Sequence, residues 1–213
     1  MPTIAHVAEH IIGSRPLMQE AMIEGIVSFG ALAEKLKPEI EKELGKEVKH
    51  SAVVMAVRRY GERIDKFSRK KNISQKQEII MKTSLCDIGI VRSPSLHSKL
   101  KKIYSMVDAE KGETFNIVQG NYEISLIVDE KMLGRIKESL SGEKIIRTEK
   151  NCVMISLNFS KEYFSQHGVL SAVTRKLAWS GVNILEIVST FKELSFLVSR
   201  RDAMKAYNAM ERM

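Results

Sequence analysis

The sequence predicts an α+β protein: an all-helical N-terminal domain followed by two units of βαββαβ type, each with both helices on one face of a sheet. Three observations carry this. Apolar residues in the first third recur with the period of a helix. After Thr83 the pattern changes to short strand-like runs separated by helical stripes. That second region also repeats itself without gaps.

Taken in order, Ile4, Val7, Ala8, Ile11 and Ile12 form the first stripe, which Gly13-Ser14-Arg15-Pro16 stops. Pro16 suits the first turn of a second helix carrying Leu17, Met18, Ala21 and Met22. Ser28 reads as an N-cap for a third, with Ala31, Leu32 and Leu36, stopped by Pro38. Glu39–Leu44 is a charged helical turn closed by Gly45. Val53, Ala56, Val57, Tyr60 and Ile64 then mark one side of a further helix, with Arg58, Arg59 and Arg63 on its other faces.

The polar, basic stretch 66–82 reads as a linker, partly helical through Gln75–Met81, so the helical domain is assigned to 1–65. Beyond it, strand-like runs fall at Leu85–Val91, Phe115–Val118, Tyr122–Val128, Lys144–Arg147, Val153–Leu157, Ile184–Val188 and Leu194–Ser199. Helical stripes separate them. The run Phe115–Val128 aligns with Leu185–Val198, matching Ile117/Ile187, Val118/Val188, Glu123/Glu193, Ser125/Ser195 and Val128/Val198. His97/His167 and Leu100/Leu170 extend the same spacing upstream. The two units, 83–150 and 151–213, are therefore expected to be ferredoxin-like.

Composition narrows the function. An apolar fraction of 44% and a charged fraction of 28% exclude a collagen or a wholly disordered chain. No apolar run reaches the length of a membrane span, so no membrane partner is expected. The opening MPTIAHVAEH carries neither a basic n-region nor an apolar h-region. With only two cysteines, Cys86 and Cys152, the expectation is a reduced, cytoplasmic protein. The net charge of +8 is concentrated: Lys49–Lys82 holds 10 basic and 3 acidic residues. Such a patch is how a nucleic-acid surface begins to look, although a solvated helix face gives the same count.

The second repeat reaches a recognisable pattern. His167-Gly-Val-Leu-Ser-Ala-Val173, then Leu177-Ala-Trp-Ser-Gly-Val-Asn-Ile184, Ile187-Val-Ser-Thr190 and Glu193–Val198 together resemble an ACT domain, in particular the paired regulatory ACT units of aspartokinases. The first copy departs from the pattern: it has Ser95 to Ser98 where the glycine loop should be, and no Gly-Val-Asn turn before Phe115. The Lys-Phe-Gly-Gly-Thr signature of the kinase domain is absent from this sequence. The resemblance implies a sensor module that binds a small molecule, typically an amino acid, at a unit–unit interface, and that assembles as a homodimer through these units. Carried onto this chain, it points to Gly168, Val169, Asn183, Ile184, Ser189 and Thr190 as the ligand-binding set. Glycine at a strand-to-helix turn allows close main-chain approach, and a helix N-terminus favours a carboxylate.

Ser28–Leu36 and Lys49–Ile64 resemble the two helices of a helix-turn-helix, with Lys37–Val48 as an insertion between them. His50, Ser51, Val54, Met55, Arg58 and Arg59 would face a DNA groove, and Lys66, Arg69, Lys70 and Lys71 would lie near phosphates. His6-Val-Ala-Glu-His10 spells H-x-x-E-H, a zinc-site pattern that also needs a distal carboxylate ligand; it reads here as a polar helix face, with no metal and no catalytic residue expected. No P-loop, G-x-G-x-x-G, G-x-S-x-G or CxxC motif is present, so no cofactor is expected. Trp179 and the eleven methionines read as ordinary packing. The expected function is a non-enzymatic, amino-acid-sensing regulator that binds double-stranded DNA. The alternative is a regulatory subunit that binds an amino-acid biosynthetic enzyme without DNA contact.

Overall fold

The computed structural model describes residues 2–68, 78–108, 110–159 and 168–212, with only the helical backbone for 65–68. The chain forms two compact units, 1–74 and 75–213.

In the first unit the apolar stripes become four helices: α1 (Ile4–Gly13), α2 (Pro16–Ile23), α3 (Phe29–Leu44) and α4 (His50–Ser68). Thr3 and Ser28 cap α1 and α3, accepting from the backbone N–H of His6 and Ala31, and Pro16 opens α2. The core holds Val7, Ala8, Ile11 and Ile12 against Met22, Leu36, Ile40, Val53 and Val57. Leu17 stays 60% exposed and Ala31 is exposed, so both fall outside the expected stripes. Pro38 does not end α3. Leu36 and Ile40, both fully buried, anchor the helix on either side of it, and the ring sits on an exposed position. The helix closes at Gly45, whose φ of 66° is left-handed. The connection to α4 therefore shrinks from the expected insertion to residues 45–49.

The second unit is one six-stranded antiparallel sheet, ordered β2-β3-β1-β4-β6-β5. Its strands are β1 (Glu78–Val91), β2 (Phe115–Gln119), β3 (Glu123–Asp129), β4 (Ile145–Asn158), β5 (Ile184–Ser189) and β6 (Glu193–Ser199). The helices are α5 (Leu96–Tyr104), α6 (Leu133–Ser139), α7 (Val169–Trp179) and α8 (Ala203–Glu211). Two features differ from the sequence reading. Residues 78–82, expected to be linker, are strand, and the two runs around Lys144–Arg147 and Val153–Leu157 are one continuous β4.

Both differences have one cause. The long strands β1 and β4 pair along their whole lengths, and each is divided by a bulge where a non-glycine residue takes positive φ: Ser84 (60°) and Asn151 (54°). The later half of β1 lies beside β3, and the first βαββαβ unit is completed by the early half of β4. The later half of β4 lies beside β6, and its other neighbour is the early half of β1, through Glu78↔Asn158, Ile79↔Leu157, Ile80↔Ser156, Met81↔Ile155 and Lys82↔Met154. The second unit thus takes its fourth strand from a segment that precedes the first unit in the chain. Cys86, Ile88, Ile90, Ile124, Leu126 and Val128 face α5 and α6, whereas Val153, Ile155, Leu157, Phe196 and Val198 are the buried counterparts in the second unit.

The repeat also breaks upstream of Phe115. Leu100 is buried while its counterpart Leu170 is 49% exposed. The copies space these elements differently: 10 residues separate α5 from β2 in the first, whereas 10 separate β4 from α7 in the second.

The sheet face opposite these packed positions carries Leu85, Ile127, Cys152, Met154 and Leu197, all buried, together with a polar centre. Asp87 is fully buried; its Oδ1 accepts from Ser125 Oγ, and its Oδ2 lies 2.8 Å from Arg147 Nη2. Gly89 makes room for that arginine: a Cβ there would come 2.9 Å from Arg147 Cγ. Burial pushes the Cys86 thiol up to about 12 and that of Cys152 to about 11, so neither is a thiolate near neutral pH.

Candidate functional site

The residues expected to hold a ligand are placed on three turns of the second unit. Gly168 precedes α7 with φ 89°, a conformation suited to glycine, and is exposed. Among the described residues no side chain caps α7 behind it. Val169 is the first, half-buried residue of the helix. Asn183, exposed, and Ile184, half-buried, lie beyond the opposite end of α7, where the chain enters β5. Ser189 and Thr190 are exposed at the far end of β5, and the Thr190 N–H donates to the Glu193 carbonyl at 2.8 Å. An 11-residue helix is about 16 Å long. Asn183 and Ile184 are therefore separated from Gly168 by the length of α7, and from Ser189 and Thr190 by the length of β5. One copy of the chain does not bring the six residues into one site.

The corresponding loop of the first unit is already filled. Glu143, just before β4, accepts from Ser93 Oγ and from Ser95 Oγ (2.7 Å), and Lys99 Nζ lies 2.8 Å away. Its side chain is only 3% exposed. Lys99 first, then the two hydroxyls, hold its carboxyl far below the usual range, at about 2. The serines that replace the glycine loop thus bind an internal carboxylate. Sequence reasoning missed this partner because Glu143 lies 50 residues from Ser93.

On α4, Ser51, Met55, Arg58 and Arg59 are exposed, and His50 opens the helix on the same exposed stretch. Val54 instead packs against the helical core, which removes it from the expected groove-facing set. Arg59 borders a small hollow with Glu9, Tyr60 and Arg63. Arg63 pairs with Glu9 and lies 5.3 Å from the Tyr60 ring centroid. Lys66 lies in the last turns of α4, with only its backbone described; Arg69, Lys70 and Lys71 lie outside the described residues.

Glu9, the acid of the H-x-x-E-H sequence, is engaged by Arg63, whose hydrogen bond lowers its pKa. Among the described residues no three His, Cys, Asp or Glu are grouped to hold a metal. No helix among them is long and apolar enough to cross a membrane.

An antiparallel sheet built from two interlocked βαββαβ units, with a glycine before the first helix of the second, defines a ferredoxin-like α+β class. Residues 147–212 match the ACT domain family. Among solved structures, the regulatory subunit of aspartate kinase from Thermus thermophilus is similar at a TM-score of 0.51 and 18% identity, over 64% of this chain and 96% of that one. The corresponding subunit from Thermus flavus gives 0.51 and 18%, over 63% and 95%. The aspartate kinase of Clostridium acetobutylicum gives 0.53 and 18%, over 68% of this chain but only 37% of the enzyme. At these identities the likeness shows the fold. No curated protein matches the sequence. Residues 147–212 thus match the ACT domain, within a fold like that of aspartokinase regulatory regions.

Proposed function

We propose that the protein is a non-enzymatic regulator in which the ACT-like units sense an amino acid and the N-terminal helices act on double-stranded DNA. The observation that carries the reading is the contrast between the two strand-to-helix turns. In the first unit Glu143 fills the loop. In the second, a Cβ added at Gly168 would meet nothing within 4 Å, and among the described residues no side chain caps the helix that follows. An amino-acid carboxylate is the kind of group those free N–H donors and the helix dipole favour. Because Asn183 and Ile184 lie a helix length away, a complete site on this reading pairs the Gly168 end of one copy with Asn183 of another, in a homodimer.

Residues 78–82 complete the second ACT-like unit and lie between it and α4 in sequence, after 69–77. The short 45–49 connection between α3 and α4, and the exposed Ser51, Met55, Arg58 and Arg59, support a helix-turn-helix arrangement of these helices. A thermal-shift screen of the twenty amino acids tests the sensor, since a ligand bound only by the folded state raises its stability. Gel shifts with duplex DNA across a salt series test the other half.

A second reading is favoured by the similarity to the Thermus regulatory subunits, covered almost end to end. On that reading this chain's N-terminal helices engage an amino-acid biosynthetic enzyme instead of DNA. Duplex binding that is absent even at low salt selects that reading.

A further inference from the structure

A groove of about 490 Å³ lies between α7 and α8. Arg175 and Lys176 of α7, Lys205 and Arg212 on the α8 side, the Trp179 indole and Asn208 line it, and no carboxylate among the described residues does. Trp179, the one tryptophan of the chain, is 77% exposed, so it is not the packing residue its surroundings in the sequence suggested.

Cations near two helix ends have an ordinary role, complementing the last-turn carbonyls, and Lys176 plays it by donating to the Arg212 carbonyl. That role is open to Arg212 at the α8 C-cap as well, but it does not account for Lys205. Lys205 is the third residue of α8, where the helix dipole opposes a positive charge, and the first turn of that helix contains no acidic residue. No carboxylate among the described residues pairs with Lys205 or Arg212. An indole left in water beside unpaired cations is a surface that leaves apolar area unburied and like charges together.

We propose that this groove binds a nucleotide, with its base stacked on Trp179 and its phosphates held by Lys205 and Arg212. The three requirements of such a ligand are met by different side chains. A flat π-face takes a base of any kind. Lysine and arginine donors take phosphate oxygens. The Asn208 amide supplies both a donor and an acceptor for a base edge. A volume of about 490 Å³ is that of a small-ligand cleft and suits a mononucleotide. Neither the Gly168 turn nor α4 lines the groove, so its occupancy can be measured without an amino acid present.

The test uses the full chain, titrated by calorimetry and by Trp179 fluorescence with GDP, guanosine, pyrophosphate and a single-stranded oligonucleotide lacking terminal phosphates. The expected result is saturable GDP binding that quenches Trp179, with guanosine and pyrophosphate each weaker. Each of Lys205→Glu and Trp179→Ala should weaken GDP by about tenfold or more, the loss of one charged contact or one stack. Far-UV circular dichroism of the Lys205→Glu chain checks that this exposed substitution leaves the fold intact. No saturation with GDP at millimolar concentration overturns the proposal. So does binding equally strong for pyrophosphate alone, or oligonucleotide binding without GDP binding, which would make the groove a strand-binding surface.

Discussion

Removing residues 78–82 should unfold the second ACT-like unit, although they lie before the first. The strand contributes five ladder pairs to β4, from Glu78↔Asn158 to Lys82↔Met154. In an antiparallel ladder that is roughly five interstrand hydrogen bonds. At about 0.5–1.5 kcal/mol each, their loss removes about 2.5–7.5 kcal/mol before any packing is counted. A domain's whole stability is typically about 5–15 kcal/mol. The deletion also turns the later half of β4 into an open edge, beside the buried side chains of Ile155 and Leu157. The assay compares fragments 75–213 and 83–213 by urea unfolding and by hydrogen exchange of the peptide covering 152–158. Tryptophan fluorescence would be a poor probe of this unfolding because Trp179 is already 77% exposed. Fragment 75–213 should unfold cooperatively, and fragment 83–213 should lose exchange protection at 152–158. Equal midpoints and equal protection would refute the exchanged-strand account.

Three further outcomes are expected. Replacing Gly168 by Val forces a branched side chain to φ 89°, costing about 1–3 kcal/mol of stability and weakening amino-acid binding; unchanged calorimetric affinity removes that turn from the site. Arg147→Met should cost about 3–5 kcal/mol in urea unfolding, because the fully buried Asp87 loses its cation, and a cost under about 1 kcal/mol would show that this pair does not hold the sheet together. Arg58→Ala with Arg59→Ala should abolish sequence preference for duplex DNA, while the same change at Lys70 and Lys71 should weaken all sequences alike, as gel shifts across a salt series would show.

Much of the fold was legible because periodicity reports burial. Val7, Ile11, Leu36, Val53 and Val57 are all core, and the spacing from Phe115 to Val128 recurs in paired strands from Leu185 to Val198. What escaped depends on distant partners. Glu78-Ile-Ile-Met-Lys82 is too short and too polar at its ends to announce a strand, and its pairing partner lies beyond the whole first unit. Glu149-Lys-Asn151 looks like a turn, yet it is a bulge that leaves β4 continuous, since Asn tolerates the left-handed φ of 54°. Pro38 looks like a helix stop because its sequence neighbours cannot show that Leu36 and Ile40 pack on both sides. For the ligand residues, the motif identified the turns but not their separation along α7.

The two copies share a fold and differ in what their first turns do, and the pH dependence of Glu143 can display that difference. Its carboxyl is depressed to about 2 in the folded chain, against an unfolded value of about 4.3. A depressed folded pKa means the carboxylate stabilises the native state fully above the unfolded value, and that this contribution is lost as pH falls from there through about 2. In Glu143→Gln the charge is absent at every pH, so that part of the acid sensitivity should disappear while the rest remains. Urea midpoints of both chains between neutral pH and the acid limit measure it. The wild-type midpoint should fall more steeply than the variant's below about pH 4.3. Parallel curves would mean that Ser93, Ser95 and Lys99 do not hold the carboxylate in solution, and the first turn would then be as open as the second. The proposal that ligand binding is restricted to the Gly168 turn rests on that loop being filled, so this titration tests the asymmetry without any ligand being known.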